Sequence, residues 1–167
     1  MTHKVAIIGC GKILPRHIEA IEGNDQFELV ALCDTDDSIR LSLNNHNVPI
    51  YKDYKELLEK EDITLAVIAT PNAMHYAQAK YFLENSCDVL IEKPATLNPK
   101  LSRKLHKIAK DNGTRAYAVL QVRLNPVVSA LKKLLDSGDL GRIRGVSLTQ
   151  RWQRPIEYFS DWRGDPS

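Results

Sequence analysis

The run ITLAVIAT (63–70), almost wholly apolar and closed by Pro71, limits the fold more than any other stretch of the chain. A strand with one face in water alternates apolar and polar residues. A continuous apolar run fits a strand covered on both faces, as in a parallel sheet with helices above and below. KVAIIG (4–9), FELVALCD (27–34) and CDVLIEK (87–93, closed by Pro94) share this texture, and RAYAVLQV (115–122) reads as a further strand. Between them lie segments of helical spacing. These are 13–22 with Ile13, His17, Ile18 and Ile21, 36–46 with Ile39 and Leu43, and 51–60 after a short strand entry. Two more are 73–86 with Ala77, Tyr81 and Phe82, and 101–113, which stops on Gly113 as a C-cap. Strand–helix alternation with right-handed crossovers predicts an α/β fold, a doubly wound parallel sheet of Rossmann type, over residues 1–122.

Beyond residue 122 the texture changes. Residues 125–141 predict a helix with a glycine stop. Residues 142–154 predict a strand in which Val146 and Leu148 alternate with Gly145, Ser147 and Thr149, the pattern of an antiparallel sheet with one covered face. A lone helix and strand cannot bury themselves. Residues 123–167 are therefore expected to open an incomplete α+β domain.

Bulk properties exclude several classes. The 167 residues are 43% hydrophobic and 26% charged, with a formal net charge of +2 and basic residues scattered among acids, so no nucleic-acid footprint is present. The apolar runs are strand-sized, which leaves no candidate membrane span. Cys10, Cys33 and Cys87 form no C-x-x-C pair. Their odd number, with no signal peptide, points to buried free thiols in a reducing cytoplasm, and no metal site is expected.

The motifs lie at strand ends. Gly9-Cys10-Gly11 follows a strand and precedes a helix: the first glycine permits a tight turn, and the second lets backbone amides approach a pyrophosphate at the helix N-terminus. A plain strand-to-helix turn is the competing reading, and Leu14 occupies the third glycine's place, where it should move the helix outward. Asp34 ends the second strand at about the 20-residue spacing expected of the acid that binds an adenosine ribose. A carboxylate there repels a 2′-phosphate, and Arg40 lies well into the next helix, so NAD is favoured over NADP. A helix cap is the alternative role for Asp34. Thr70, Pro71 and Asn72 turn at the end of a buried strand, facing the crevice where open α/β sheets bind ligands. Asn72 could equally cap, and His75 could equally pack. In IEKPA (91–95), Glu92 and Lys93 end an apolar strand. There Lys93 could hydrogen-bond a substrate hydroxyl and stabilise the alkoxide as hydride leaves. A solvated loop lysine is the plainer reading.

In this order, G-x-G-K-I, the strand-ending Asp, ATPN with a following His, and EKP resemble the glucose-fructose oxidoreductase/inositol dehydrogenase/MocA family over essentially the whole chain. QVRLNP (121–126) and SDWRGDP (160–166) resemble the subset that oxidises the 3-hydroxyl of UDP-linked N-acetyl sugars with NAD. The resemblance implies a Rossmann domain followed by a domain built on a large open sheet, and a homo-oligomer for the full protein. It implies that Gly9, Gly11, Lys12 and Ile13 line the pyrophosphate and Asp34 the adenine ribose. Thr70, Pro71, Asn72 and His75 would lie along the cofactor, Glu92 by the nicotinamide ribose and Lys93 at the reacting carbon. Gln121 and Arg123 would border the active site, Arg123 on the substrate side, with Trp162 and Arg163 near cofactor or substrate. The family's acid/base histidine is expected beyond Ser167, so the 167 residues alone are expected to bind NAD without turnover. A cyclitol or free-sugar dehydrogenase, or a non-catalytic dinucleotide-sensing regulator, are the alternative functions.

Overall fold

The computed structural model describes residues 2–160. The chain divides into two compact units, Met1–Val119 and Leu120–Ser167.

In the first unit β1 (His3–Ile8), α1 (Leu14–Glu22), β2 (Phe27–Cys33), α2 (Asp37–Ser42), β3 (Ile50–Tyr51) and α3 (Tyr54–Lys60) are followed by β4 (Leu65–Ile68), α4 (His75–Glu84), β5 (Asp88–Ile91), α5 (Pro99–Asp111) and β6 (Ala116–Ala118). Short 3-10 turns occupy Asn44–His46 and Asn72–Met74. The six strands are parallel in the order β3-β2-β1-β4-β5-β6, the doubly wound arrangement expected from the sequence. The order reverses between β1 and β4, which pair from Val5↔Leu65 to Ile8↔Ile68. Ligands bind such sheets at the carboxyl ends of the strands flanking this reversal.

The uninterrupted apolar runs follow from two covered faces. Val5, Ile7, Leu32 and Val67 pack with Leu14, Ile18 and Ile21 of α1. Their strand neighbours Ala6, Ile8, Ala31, Ala66, Ile68, Val89 and Ile91 face the other way, against Leu57, Phe82, Leu83 and Leu105. Each large aliphatic buried this way stabilises the fold by about 1.5–3 kcal/mol. Cys10, Cys33 and Cys87 are free and buried, as expected. The strand expected over 115–122 is shorter. β6 is an edge strand whose ladder follows β5 only from Val89↔Ala116 to Ile91↔Ala118, and a 3-10 turn begins at Gln121.

In the second unit the 3-10 turn Gln121–Leu124 leads into α6 (Pro126–Asp136), within the expected helix. The strand expected over 142–154 is not formed. An alternating pattern makes a strand only against a partner, and no other strand occurs among the described residues of this unit. A last 3-10 turn spans Ile156–Phe159. No helix of the described residues is long and apolar enough to cross a membrane.

Candidate cofactor site

The two glycines after β1 do different work. Gly9 has a φ of 92°, and a Cβ there would lie 2.7 Å from the carbonyl carbon of Ala69 and 2.7 Å from the amide nitrogen of Thr70. Only glycine fits where the ends of β1 and β4 approach so closely. A Cβ on Gly11 would meet nothing within 4 Å. The protein's own packing does not demand that glycine, whereas a pyrophosphate close to the backbone would. Ile13 stands at the N-cap of α1 and no side chain accepts from the first-turn amides; Pro15 sits in that turn and no acid does. The positive end of the helix therefore carries no side-chain counter-charge of its own. Lys12 and Ile13 are exposed at this end. Leu14, in the third glycine's place, is buried against Val5, Ile7 and Leu32 and fills the space between helix and sheet.

Asp34 fixes this turn from the neighbouring strand. Its Oδ2 accepts from the Cys10 amide at 2.8 Å and its Oδ1 from the Asp36 amide at 2.9 Å. The cap of α2 is Asp36, whose carboxylate accepts from the amides of Ser38 and Ile39. Asp34 therefore does not cap, and each of its oxygens keeps a lone pair for a ribose hydroxyl. Arg40 folds back on the end of β2: it donates to the Asp34 carbonyl at 2.8 Å and pairs with Asp37.

At the end of β4, the half-buried Thr70 donates through Oγ1 to Gln78 Oε1 at 2.6 Å. Pro71 is exposed, and the half-buried Asn72 opens the 3-10 turn. Asn72 does not cap α4, whose N-cap position is Met74 with no side-chain hydrogen bond. His75 is fully buried, with Nε2 at 2.8 Å from the Thr70 carbonyl and Nδ1 at 2.9 Å from that of Pro94. It bears on the site through these two backbone groups.

At the end of β5, Glu92 Oε1 lies 3.1 Å from His17 Nε2 and Oε2 accepts from the Lys93 amide at 3.2 Å. The hydrogen bond from His17 holds the Glu92 carboxyl below its usual range; burial opposes this, and the Lys93 amide and ammonium add to it. The Lys93 side chain is exposed, and among the described residues its ammonium makes no hydrogen bond or ion pair. The Lys93–Pro94 peptide is cis.

Gly9, Gly11, Asp34, Thr70, Asn72, Glu92 and Lys93 thus stand at the carboxyl ends of four adjacent strands. Gln121 and Arg123 belong to the second unit, in its first 3-10 turn, where the Arg123 carbonyl accepts from Ser129 Oγ. Trp162 and Arg163 lie outside the described residues. Sequence reasoning missed His17 and Gln78 as partners of the motif residues. His17 falls on the same helical spacing as Ile13, Ile18 and Ile21 and so reads as part of an apolar stripe.

Residues 3–120 match the model of an oxidoreductase family with an NAD-binding Rossmann fold, Gfo/Idh/MocA. The WlbA dehydrogenase from Bordetella pertussis, solved in complex with NADH and UDP-GlcNAcA, is similar with a TM-score of 0.92 and 28% identity, over 98% of this chain and 50% of that one. The inositol 2-dehydrogenase of Rhizobium meliloti (strain 1021) is 25% identical over 161 residues, 95% of this chain and 49% of that protein. The scyllo-inositol 2-dehydrogenase (NADP(+)) IolU of Bacillus subtilis (strain 168) is 27% identical over 143 residues, 84% and 43% respectively. The chain spans half or less of the length of these proteins. With a six-stranded doubly wound sheet, a glycine turn where the strand order reverses and a family model matched from residue 3 to residue 120, the chain belongs to the Gfo/Idh/MocA family of NAD-binding oxidoreductases.

Proposed function

We propose that the protein is an NAD-dependent nucleotide-sugar dehydrogenase that oxidises the 3-hydroxyl of a UDP-N-acetylhexosamine or its uronate. The observation that carries this reading is Lys93, an exposed ammonium at the carboxyl end of β5 whose backbone is held by Glu92, two strands from the glycine turn. The amides at the start of α1, including those of Gly11, Lys12 and Ile13, take the pyrophosphate, and Asp34 accepts from the adenine ribose hydroxyls. Thr70, Pro71 and Asn72 line the cofactor's path, and Glu92 lies by the nicotinamide ribose. Bound nicotinamide supplies the hydride acceptor. Lys93 donates a hydrogen bond to the substrate oxygen and stabilises the negative charge that grows there as the hydroxyl proton passes to a general base and the hydride to the nicotinamide. NAD is favoured over NADP because the Asp34 carboxylate repels a 2′-phosphate, while Arg40 is engaged with the Asp34 carbonyl and Asp37.

The sugar nucleotide is favoured by the likeness to a dehydrogenase solved with UDP-GlcNAcA over 98% of this chain. A cyclitol substrate is the second reading, favoured by the inositol 2-dehydrogenase that aligns over 95% of the chain. Titration of NADH fluorescence with the 167-residue chain tests the cofactor half, and saturable binding is expected. NAD reduction by a protein of the relatives' length, with UDP-N-acetylglucosamine, its uronate and myo-inositol in parallel, tests the substrate. Reduction only with myo-inositol would replace the sugar-nucleotide reading with the cyclitol one. Lys93→Ala should abolish turnover at unchanged NADH affinity; a regulator that only senses dinucleotide would be indifferent to the change.

A further inference from the structure

The sheet stops holding the chain just before Lys93. β5 ends at Ile91, and the last ladder bond on this side runs from the Glu92 amide to the Ile68 carbonyl. The Lys93 amide goes to a side chain instead, and Pro94 has no amide to give. The direction of Lys93 must therefore be set by whatever holds its two neighbours. On one side this is the Glu92 carboxylate, with Oε2 on the Lys93 amide and Oε1 on His17 Nε2. On the other it is the Pro94 carbonyl, 2.9 Å from His75 Nδ1.

We propose that Lys93 is positioned by two histidines on different helices, His17 of α1 acting through the Glu92 carboxylate and His75 of α4 acting through the Pro94 carbonyl. Neither histidine touches the lysine side chain, so both are positioning residues. The His17–Glu92 pair joins residues 75 positions apart and leaves only 11% and 14% of the two side chains exposed. A polar pair buried to that extent is costly unless it is bonded, and a hydrogen bond to an ionised carboxylate away from water is a strong one. His75 has no exposed surface, and its two ring nitrogens face two carbonyls; a ring with its proton on Nδ1 donates to the Pro94 carbonyl and leaves Nε2 only beside that of Thr70. The arrangement refers Lys93 to the helices that begin at the strand-order reversal. On the proposed function, α1 also seats the cofactor phosphates, so one rigid element sets the places of both the lysine and the cofactor.

The importance of Lys93 rests on the proposed function, but the positioning can be read without cofactor. The probe is the Lys93 amide resonance in 1H–15N spectra of the labelled 167-residue chain, compared among wild type, His17→Leu and His17→Gln. Leucine keeps bulk and removes the donor, whereas glutamine can place an N–H near the position of Nε2. His17→Leu is expected to leave a cooperative thermal transition, to move the Lys93 amide towards its free-chain position and, through the released Glu92 carboxylate that the proposed function places by the nicotinamide ribose, to weaken NADH binding about 3- to 10-fold, the scale of one lost hydrogen bond. His17→Gln should return most of both effects. In the wild type, the proton of the His75 ring should sit on Nδ1 and exchange slowly with solvent, an observation that needs no substitution in the core. A Lys93 amide unmoved in folded His17→Leu, a His17→Gln that restores nothing, or fast exchange at the His75 ring would overturn the proposal. A chain that binds no NADH while the amide responds as described would sink the proposed function and leave the positioning standing.

Discussion

The helices of the sheet domain begin in two different ways. α2, α3 and α5 start from Asp36, Asp53 and Asn98, each with a side-chain oxygen accepting from a first-turn amide. α1 and α4 start from Ile13 and Met74, whose side chains cap nothing. The uncapped pair follows β1 and β4, the two strands between which the sheet order reverses. A missing cap costs a helix about 0.5–2 kcal/mol, and here the cost falls on the two helices whose positive ends face the crevice. The same two carry His17 and His75. The contrast teaches that a site can be recognised by what is withheld as well as by what is supplied: side-chain caps elsewhere, and none at the two helices that begin at the reversal, whose first amides turn to backbone carbonyls instead.

The contrast can be broken or sharpened by substitution. The largest effect is expected from Gly9→Ala. It puts an alanine at φ 92° with its Cβ 2.7 Å from the β4 backbone, and should cost about 3 kcal/mol or more in denaturant unfolding. A loss under about 1 kcal/mol would mean that β1 and β4 do not need to approach this closely at α1's entry. Next, Ile13→Asp gives the start of α1 the negative charge it lacks. Stability should hold or rise by about 0.5–1 kcal/mol while NADH affinity falls at least about tenfold. Unchanged affinity would show that the phosphates sit elsewhere. Asp53→Ala, at a capped helix, should do the reverse, losing about 1 kcal/mol of stability with NADH affinity preserved; an equal loss of affinity would erase the distinction between the two sets of helices.

The smallest effect concerns pH. The folded Glu92 carboxyl is held below its ordinary value of 4.5, chiefly by the hydrogen bond from His17. A depressed carboxyl contributes stability in full above its unfolded value and loses it as pH falls through the folded one. The stability difference between wild type and Glu92→Gln should therefore be level above pH 4.5 and shrink below it. A difference that instead grew in acid would contradict the His17 hydrogen bond. Thermal unfolding of both proteins across this range decides the matter.

Most of the sheet was legible because a strand covered on both faces leaves an unbroken apolar run, which needs no knowledge of its partners. The tight turn at Gly9 was legible for a similar reason, since it depends on local position at a strand end. What escaped depended on contacts that the order of residues does not contain. In the run Asp34-Thr35-Asp36-Asp37 any of three carboxylates could cap α2, and backbone geometry selects Asp36. His17 and Glu92 meet across 75 positions, and a histidine among isoleucines carries no mark of its partner. Val146 and Leu148 alternate correctly for a strand, yet a strand is a relation between two segments, and among the described residues of its unit the second segment does not occur.

The buried thiols offer three intrinsic clocks. Burial pushes Cys10, Cys33 and Cys87 each up to about 12, and thiol reagents attack the thiolate. Labelling of the native protein must then wait for the structure around each sulfur to open. Cys10 and Cys33 lie at the carboxyl ends of β1 and β2, and Cys87 lies just before the amino end of β5. Without any engineered probe, the ratio of their labelling rates reports breathing of the carboxyl edge of the sheet against that of the amino edge. A dinucleotide seated on the glycine turn should slow the first two clocks more than the third.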